Sequence, residues 1–465
     1  MNTTDNILQN SFCERSPGEK LEIKKLRPEP PPGTPPIEDH FLAIISRTSI
    51  MSPRKRILVM IFAMFVLLNL CLLLATLQTR LASFGGNIHS ETKLPEIRQL
   101  VFAKVHKAAS STVQNIMLRF AMARDLTVLL PVHTNVLNDA GSKISISKVV
   151  PHPRGQLFDM LCSHVLYNES EIGKYVPKTA FSFAILREPM KQALSALKFY
   201  TIRYPSKALK YGLQKHPHDP INGFLQHPED FSLPDIGGNP AWSFVNNRMS
   251  MDLGFDLNNF ESSKKNTSKI QAFLKRLEKQ FDVILISEYF DESIVLLRRL
   301  LRWSMKDIVY FKVNTAILQE KESIWNKKPV ISATTTERFR QWNRIDYELY
   351  DHFLPIFKEK IRNEYLFQDE VNAFQKIQHD IRSFCSTNKP AAENLRIQEN
   401  LWTKEFLISK SDCKLMLLTE VEITEVARKK QIDRYRTYLQ EERHKIKADI
   451  PAPEQSLRTR FPVRV

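Results

Sequence analysis

The feature that most constrains this chain is an uninterrupted apolar run from Ile57 to Leu77. The run contains no charged residue, and only Asn69 and Thr76 are clearly polar. As a helix rising ~1.5 Å per residue, it is long enough to span the ~30 Å hydrocarbon core of a bilayer. Soluble helices rarely stay apolar around their whole circumference, and a cleaved signal peptide has a shorter apolar core nearer the N-terminus. We therefore predict one transmembrane helix over residues 57–77.

The charges beside this run predict its orientation. The basic cluster Arg54–Arg56 precedes the run directly, whereas Arg80 and Lys93 are the only basic residues close after it. By the positive-inside rule the N-terminus is cytosolic and the larger C-terminal part is lumenal, as in a type II signal anchor. Sequons at Asn168 and Asn266 fall on the predicted lumenal side, where either can accept a glycan.

Composition changes along the chain predict five regions. The first contains a proline-rich stretch, Pro28–Pro36, which cannot build a helix or a core. The predicted regions are a disordered cytoplasmic tail (1–56), the transmembrane anchor (57–77), a stem (78–96), a lumenal domain (97–430), and a charged C-terminal helix and tail (431–465).

The overall composition is that of a folded protein with a basic surplus. Charged residues make up 25% and hydrophobic residues 43% of the 465 residues, and the formal net charge is +16. A surplus of this sign favours anionic partners, and the predicted topology argues against nucleic acid among them. Of the five cysteines, Cys385 and Cys413 flank a polar stretch and can pair in an oxidising lumen, although spacing alone leaves their connectivity open.

Strands alternating with helices predict the fold class of the lumenal region. Arg98–Val105 has the pattern of a short buried strand and leads through a small-residue loop into a helical segment. Phe181–Leu186 begins a second unit of this kind, and Phe281–Ser287 is a third strand between amphipathic helices. This alternation is typical of an α/β domain with a central parallel sheet. Residues 335–374 have a mostly helical pattern, and residues 412–448 the pattern of one long charged helix.

The loop after the first strand has the composition of an anion-binding site. It reads Lys104 to Thr112, KVHKAASST. Its small residues let the backbone approach a ligand closely, and the hydroxyls of Ser110, Ser111 and Thr112 can donate to phosphate oxygens. The helix that follows offers unsatisfied N–H groups and the positive end of its dipole, and Lys107 adds a mobile charge. The loop lacks the glycines of a nucleoside triphosphate P-loop, and the same residues also fit an ordinary N-capped helix start.

The second strand–helix unit supplies a further candidate anion site. Arg187 follows the strand directly, and Ser195 lies on the next helix. A guanidinium at a strand end can bind a phosphate with two hydrogen bonds, although Arg187 can equally pair with a surface carboxylate. We expect this site on a strand next to the first loop, which suits a ligand with two separated phosphates.

These motifs together resemble the Golgi carbohydrate sulfotransferases, and more narrowly the galactose 3-O-sulfotransferase family. The resemblance covers residues 97–430 and is carried by five segments of the sequence. They are HKAASST (106–112), CSHV (162–165), FxILRxP with Ser195, NNRMSMDLGFD (246–256) and WNxxDxxLYxHF (342–353).

The family resemblance implies a P-loop-like sulfotransferase fold that binds PAPS (3′-phosphoadenylyl sulfate) and needs no metal. Residues Lys107 to Thr112 would hold the 5′-phosphosulfate, while Arg187 and Ser195 would hold the 3′-phosphate. This sequence has Ala108 and Ala109 where the family commonly has Thr-Ala, so one hydroxyl of the cradle is missing.

Sulfuryl transfer also needs a base for the acceptor proton, and histidine suits this role near neutral pH. The resemblance favours His164 as base, His106 as a second active-site histidine, and Lys107 as the cation that stabilises the leaving oxygen. Either histidine can instead be structural. The implied acceptor is the 3-hydroxyl of a terminal galactose on a glycolipid or glycoprotein glycan, and the oligomeric state stays open, including a homo-oligomer.

Several other functions remain to be tested. A uronyl 2-O-type glycosaminoglycan sulfotransferase would use the same chemistry on another acceptor. A type II glycosyltransferase would share the topology, but the chain has no D-x-D motif; a Golgi kinase lacks support because no glycine-rich loop is present. A binding-only relative would keep the fold without turnover. For Trp342 to His352, we favour a packed helix face over contact with a sugar.

Overall fold

The structure, a computed structural model, describes most of residues 52–72 and residues 94–448 apart from short gaps. The gaps are 139–140, 154, 204–205, 232–242, 257–259, 264, 313–329 and 387–392. The proline-rich tail, the end of the predicted span, the stem up to residue 93 and the basic tail from residue 449 lie outside the described residues. The chain forms two compact units, Met1–Lys93 and Leu94–Val465.

The apolar run is described only in part. Between residues 53 and 72 the described residues are helical, and from Ile57 onward they expose apolar side chains. Within the part of the chain that the structure describes, no helix combines the length and the apolar character needed to cross a membrane. The transmembrane helix therefore stays a prediction.

The second unit is built on a four-stranded parallel sheet. Its strand order is β3–β1–β5–β6, and every pair of neighbours is parallel. The described strands, numbered along the chain, are β1 (Leu100–Ala103), β2 (Val136–Asn138), β3 (Met160–Leu161), β4 (His164–Val165), β5 (Phe181–Leu186), β6 (Val283–Ile286), β7 (Asn394–Ile397) and β8 (Phe406–Ser409). The predicted α/β class with a parallel sheet is confirmed.

Helices cover this sheet and continue beyond it. The described helices are α1 (Ser110–Ala123), α2 (Glu169–Ile172), α3 (Pro189–Arg203), α4 (Lys207–Lys215), α5 (Pro220–Gln226), α6 (Arg248–Asp252), α7 (Phe260–Ser263), α8 (Thr267–Gln280), α9 (Phe290–Leu301), α10 (Met305–Ile308), α11 (Ala333–Trp342), α12 (Arg344–Arg362), α13 (Phe367–Ser386), α14 (Lys410–Leu417) and α15 (Glu420–Ala448). The predicted helical region 335–374 corresponds to α11, α12 and the first part of α13.

The central strands are apolar on both faces because helices pack on both sides of the sheet. All four residues of β1 and all four of β6 are buried, as is usual for strands of a parallel sheet. A second apolar cluster lies outside the sheet, where α3, α5 and α11 contribute Leu197, Phe224 and Phe339. This second cluster fixes α3, the helix that carries Ser195.

Parallel strands place the ends of β1, β5 and β6 at one edge of the sheet. The loop from Lys104 to Ala109 follows β1, and Arg187 follows β5, which is paired directly with β1. The expectation that the two candidate anion sites lie on neighbouring strands is therefore confirmed. Ligands of open α/β sheets bind outside this carboxyl edge.

The C-terminal region differs from the single helix predicted over residues 412–448. Two helices, α14 and α15, are separated at Leu418 and Thr419. The break has a local cause. The Thr419 hydroxyl and backbone N–H both donate to the Glu422 carboxylate, and the Glu422 backbone N–H donates to the Thr419 hydroxyl. This reciprocal pattern begins a new helix. Helix α15 then runs without interruption through residue 430.

A disulfide joins Cys385, at the end of α13, to Cys413 in α14, with 5.5 Å between their Cα atoms. We expect the double variant Cys385→Ser, Cys413→Ser to lose about 3 kcal/mol of unfolding free energy, because the open chain gains conformational freedom when unfolded. Urea denaturation under oxidising conditions measures the difference. A reductant should bring the wild type to the stability of the double variant and leave the variant unchanged; equal stabilities of the two oxidised proteins would contradict the prediction.

Candidate active site

The loop between β1 and α1 is a strained turn held by its neighbours. Lys107 and Ala109 both have left-handed backbones, with φ of 59° and 63°, a conformation that costs energy for residues other than glycine. Three bonds hold it in place: the Ser110 hydroxyl donates to the Val105 carbonyl, Arg187 to the Lys107 carbonyl, and Gln192 to the His106 carbonyl. Strain maintained in this way is typical of a ligand-binding turn.

Helix α1 starts from this turn without a side-chain cap. Its N-cap is Ala109, which has no side chain able to accept from the first-turn N–H groups. The positive end of the helix dipole therefore faces the turn. Two of the predicted ligand hydroxyls are already used within the protein, because Ser110 donates to Val105 and Ser111 donates to Glu420 at 2.5 Å.

Arg187 lies directly against the turn. Its guanidinium donates to the Lys107 carbonyl at 3.0 Å, and burial lowers the pKa of this arginine, against the opposing effect of Glu288 and Glu188. Ser195 is half-buried on α3, three residues after Gln192. The structure thus brings Arg187 into contact with the cradle, and it places Ser195 on the helix beside the cradle without a direct bond to it.

The two predicted histidines are in contact with each other. The rings of His106 and His164 stack with centroids 3.9 Å apart and an angle of 21° between their planes. Both side chains are buried, one on the loop after β1 and the other at the start of β4. The histidines are far apart in the sequence. They come together because β3, which lies just before His164, pairs with β1, which lies just before His106.

Asp252 orients His106. Its carboxylate accepts from the backbone N–H of His106 at 2.8 Å and lies 2.8 Å from ring Nδ1. Arg248, also buried, donates to the same carboxylate at 2.9 Å. Burial raises the pKa of Asp252, but the charges of Arg248 and His106 outweigh that effect and hold it well below its usual range. A permanently ionised carboxylate on Nδ1 fixes the ring and leaves Nε2 directed away from it.

A second carboxylate, Glu420, lies on the His164 side of the stack. Its oxygens are 3.7 Å from His164 Nε2 and 3.2 Å from the ammonium of Lys104, which is fully buried. Glu420 also accepts bonds from Ser111 and Asn135. Burial by itself would raise the pKa of Glu420, but the charges of Lys104 and His164 and the two hydrogen bonds outweigh burial and hold the pKa well below its usual range. The carboxylate therefore stays ionised.

Lys107 is the mobile cation of the site. Its ammonium lies over the ring of Phe199, 3.8 Å from the centroid. Burial lowers the pKa of Lys107 to about 8, with Arg187 and Lys104 acting in the same direction and Glu420 opposing them. A bound anion would stabilise the charged form of this lysine.

Two segments that carried the family resemblance hold each other in place beside this site. Asp346 is fully buried and accepts from the backbone N–H groups of Met249 and Ser250 and from the Ser250 hydroxyl. It thereby caps α6, the short helix that contains Asp252. Asn343 accepts from the Asn247 backbone in the same contact. The packing role favoured for this segment agrees with these contacts, and Asp346 supports His106 indirectly.

We expect Asp346→Ala to lower the unfolding free energy by about 3 kcal/mol, because three buried donors lose their acceptor. Chemical denaturation measures the loss. Asp351→Ala, which removes an exposed carboxylate from the same helix, is the control. Equal stability of the Asp346→Ala and Asp351→Ala variants would contradict this role.

Sequence reasoning assigned no role to four of the residues that complete the site: Lys104, which begins the loop already singled out, and Arg248, Asp252 and Glu420. Asp252 and Arg248 lay in a segment already singled out, but no pattern indicated that they face His106. Glu420 was missed because the break before α15 was not recognised, although Thr419-x-x-Glu422 is a helix-start signal.

An enzyme that transfers an anionic group needs cations around that group and a proton acceptor that works near neutral pH. The carboxyl edge of this sheet provides both, with Lys107 and Arg187 at the turn and two buried histidines beside it. The class defined in this way is a transferase with an anionic donor. Among the described residues, no cluster of three or more His, Cys, Asp or Glu side chains is placed to hold a metal ion.

Comparison with known proteins identifies the family. The sequence model of the galactose-3-O-sulfotransferases matches residues 41–404. Galactose-3-O-sulfotransferase 2 of Sus scrofa is 32% identical over 352 residues, which cover 70% of this chain and 82% of the relative. Human galactosylceramide sulfotransferase is 30% identical over 304 residues, covering 65% of this chain and 67% of the relative. The chain therefore belongs to the galactose-3-O-sulfotransferase family, and the predicted family and enzyme class are confirmed.

Proposed function

We propose that this protein is a PAPS-dependent sulfotransferase that places sulfate on the 3-hydroxyl of a terminal galactose, on a glycolipid or a glycoprotein glycan. Family membership supports the reaction class, and the names of the relatives support the galactose acceptor. The observation that carries the proposal is the stacked pair His106–His164 beside the Lys107 turn. This arrangement brings a proton acceptor and a cationic anion site to one sheet edge.

The residues around the turn fit a donor with two phosphate groups. Lys107, the uncapped start of α1 and Thr112 would hold the 5′-phosphosulfate, while Arg187 and Ser195 would hold the 3′-phosphate. PAPS supplies the sulfuryl group when it is bound. The buried ammonium of Lys104 forms an ion pair with Glu420 at 3.2 Å, which leaves Lys107 and Arg187 as the cations that face the turn.

In the proposed reaction, His164 accepts the proton of the galactose hydroxyl as that oxygen bonds to sulfur. The bond from sulfur to the bridging phosphate oxygen breaks at the same time, and Lys107 stabilises the charge that collects on this oxygen. His106, held by Asp252, stacks on His164 and fixes its plane. It also provides a second imidazole that can orient the acceptor.

A donor-binding experiment separates this proposal from the glycosyltransferase alternative. Residues 80–465, produced as a secreted protein, would be titrated with PAP (3′-phosphoadenosine 5′-phosphate), ADP and UDP-galactose, each with and without EDTA. We expect PAP to bind best and EDTA to have no effect. Preferential binding of UDP-galactose, and only with manganese present, would contradict the proposal. PAP binding with no turnover on any galactoside would favour a binding-only relative.

We also infer a type II topology in the Golgi membrane with a lumenal catalytic domain. Support comes from the uncharged run 57–77 behind Arg54–Arg56, from a disulfide, which forms in oxidising compartments, and from two exposed sequon asparagines. The full chain expressed in cells should shift in mobility after glycosidase treatment, and Asn168→Gln with Asn266→Gln should abolish the shift. A domain accessible to protease added from the cytosolic side would contradict this topology.

A further inference from the structure

The last described helix places a carboxylate inside the active site. Helix α15 begins at Glu420, and that residue contacts four groups from three earlier parts of the chain: Lys104 after β1, Ser111 on α1, and Asn135 and His164 around the β2–β4 pair. The match to the family sequence model ends at residue 404, before Glu420. Nothing in the family assignment gives this residue a role.

Glu420 is held in a fixed position. Asn115 of α1 donates to the carbonyls of Leu415 and Leu418, which fixes the turn just before α15. Farther along α15, Gln431 bonds both the N–H and the carbonyl of Val128, at 2.8 and 3.1 Å. The start of the helix therefore cannot rotate away from the site without breaking these buried bonds.

The contacts of Glu420 are those of a residue that arranges other groups. Its carboxylate is the acid facing the buried Lys104, and it accepts the hydroxyl of Ser111 at the base of the cradle. It also faces Nε2 of His164. At 3.7 Å this carboxylate is too far from Nε2 for a hydrogen bond, but it is close enough to act on the ring through its charge. It also favours the protonated ring after proton transfer.

We propose that Glu420 is a positioning residue for sulfate transfer: the C-terminal helix supplies the carboxylate that orients His164 and stabilises its protonated form. The inference rests on the proposed function, in which His164 is the base. Each ring of the stack then has its own carboxylate: Asp252 is hydrogen-bonded to His106 at 2.8 Å, and Glu420 lies 3.7 Å from His164. The catalytic unit accordingly extends through the start of α15.

The charges around His164 determine the direction of the expected effect. The groups that face it are Glu420 from α15, His106 on the loop after β1, Asp252 from α6, and Lys104 beyond Glu420. Removing the charge of Glu420 leaves Lys104 uncompensated and removes the nearer of the two anions. Both changes disfavour the protonated imidazole, so His164 should lose its proton at lower pH.

The test compares the wild type with Glu420→Gln in the full lumenal protein, residues 80–465. We expect kcat on a β-galactoside to fall about 30-fold, because a misdirected and weaker base transfers the proton more slowly. KM for PAPS should change less than threefold. The acidic limb of the kcat–pH profile should move down by about 1 pH unit, as expected for loss of one nearby opposite charge. Glu420→Asp should recover part of kcat.

Glu441→Gln is the matched control, because Glu441 is an exposed carboxylate farther along the same helix, away from the site. It should leave kcat and the pH profile unchanged. An NMR titration of the His164 ring in both Glu variants reports the Glu420 contact without any turnover. An unchanged His164 titration and unchanged pH limb in Glu420→Gln would overturn the proposal. If the NMR midpoint shifts but the wild type sulfates no acceptor, the proposed function fails while the contact stands.

Discussion

Replacing His164 with asparagine is expected to lower kcat about 1,000-fold while PAP still binds with wild-type affinity. The proton of an acceptor hydroxyl must leave as the new bond to sulfur forms, and a positioned base typically contributes 10²–10⁴-fold to such a step. Asparagine keeps the approximate size of the ring but cannot accept the proton. The stacking partner, His106, remains held by Asp252, so the fold of the site should survive. Initial rates with saturating PAPS and a β-galactoside measure the loss.

Two further variants, one outside the site and one at the stacked histidine, are compared with His164→Asn. His379→Ala removes an exposed histidine of α13 outside the site and should leave kcat unchanged. His106→Asn should also lower kcat, but through loss of the ring that fixes His164. A His164→Asn enzyme with near-normal kcat, alongside an inactive His106→Asn enzyme, would contradict His164 as the base and transfer that role to the unit formed by His106 and Asp252.

Lys107→Ala should weaken PAP binding about 30-fold, or about 2 kcal/mol, because a charge-assisted contact to phosphate is lost. Burial holds the pKa of Lys107 at about 8, so the unliganded lysine is charged below that pH and neutral above it. Only the charged form attracts phosphate. Wild-type PAP affinity should therefore be steady near pH 7 and should weaken as the pH rises through 8.

The pH series distinguishes a direct contact from a structural defect. In Lys107→Ala, affinity should be low at pH 7 and should show much less decline toward pH 9. Lys275→Ala, which removes an exposed lysine from α8, should behave as the wild type does at every pH. A Lys107→Ala variant that retains both the affinity and the pH dependence of the wild type would remove this lysine from the donor site.

The parallel sheet was predictable because its signals are local. The apolar strand Phe181–Leu186 has the predicted bounds in the structure, and its pairing with β1 follows from the usual topology of alternating strands and helices. The cradle was predictable for the same reason: small residues and hydroxyls between a strand and a helix form a continuous stretch of sequence. Their local geometry depends little on the rest of the chain.

The carboxylates of the site were not predictable from such patterns. Asp252 faces His106 across 146 positions of the sequence, and its position depends on Asp346, which caps α6 from a third segment. Glu420 reaches His164 only because a helix ends at Leu417 and another begins at Glu420. A break of only two residues has little effect on hydrophobic periodicity, so residues 412–448 had the pattern of one helix.

The catalytic domain boundary illustrates the same point. A division after residue 430 was predicted from charge and composition, whereas Gln431 is buried and bonded to the segment after α1. The charged face of α15 looks outward, and the other face is an integral part of the domain. Charged composition indicates which face of a helix is exposed, but it does not show whether the opposite face is packed. Long charged side chains can lie at the border of a buried contact.

Transfer of labelled sulfate from PAPS tests the central claim most directly. Residues 80–465 would be incubated with labelled PAPS and either galactosylceramide, an N-acetyllactosamine glycan, a uronic-acid polymer or no acceptor, with His164→Asn alongside. The account predicts label on the 3-hydroxyl of terminal galactose in at least one of the first two, and almost none with His164→Asn. Label on the uronic polymer alone, or no transfer by a folded protein that also fails to bind PAP, would contradict it.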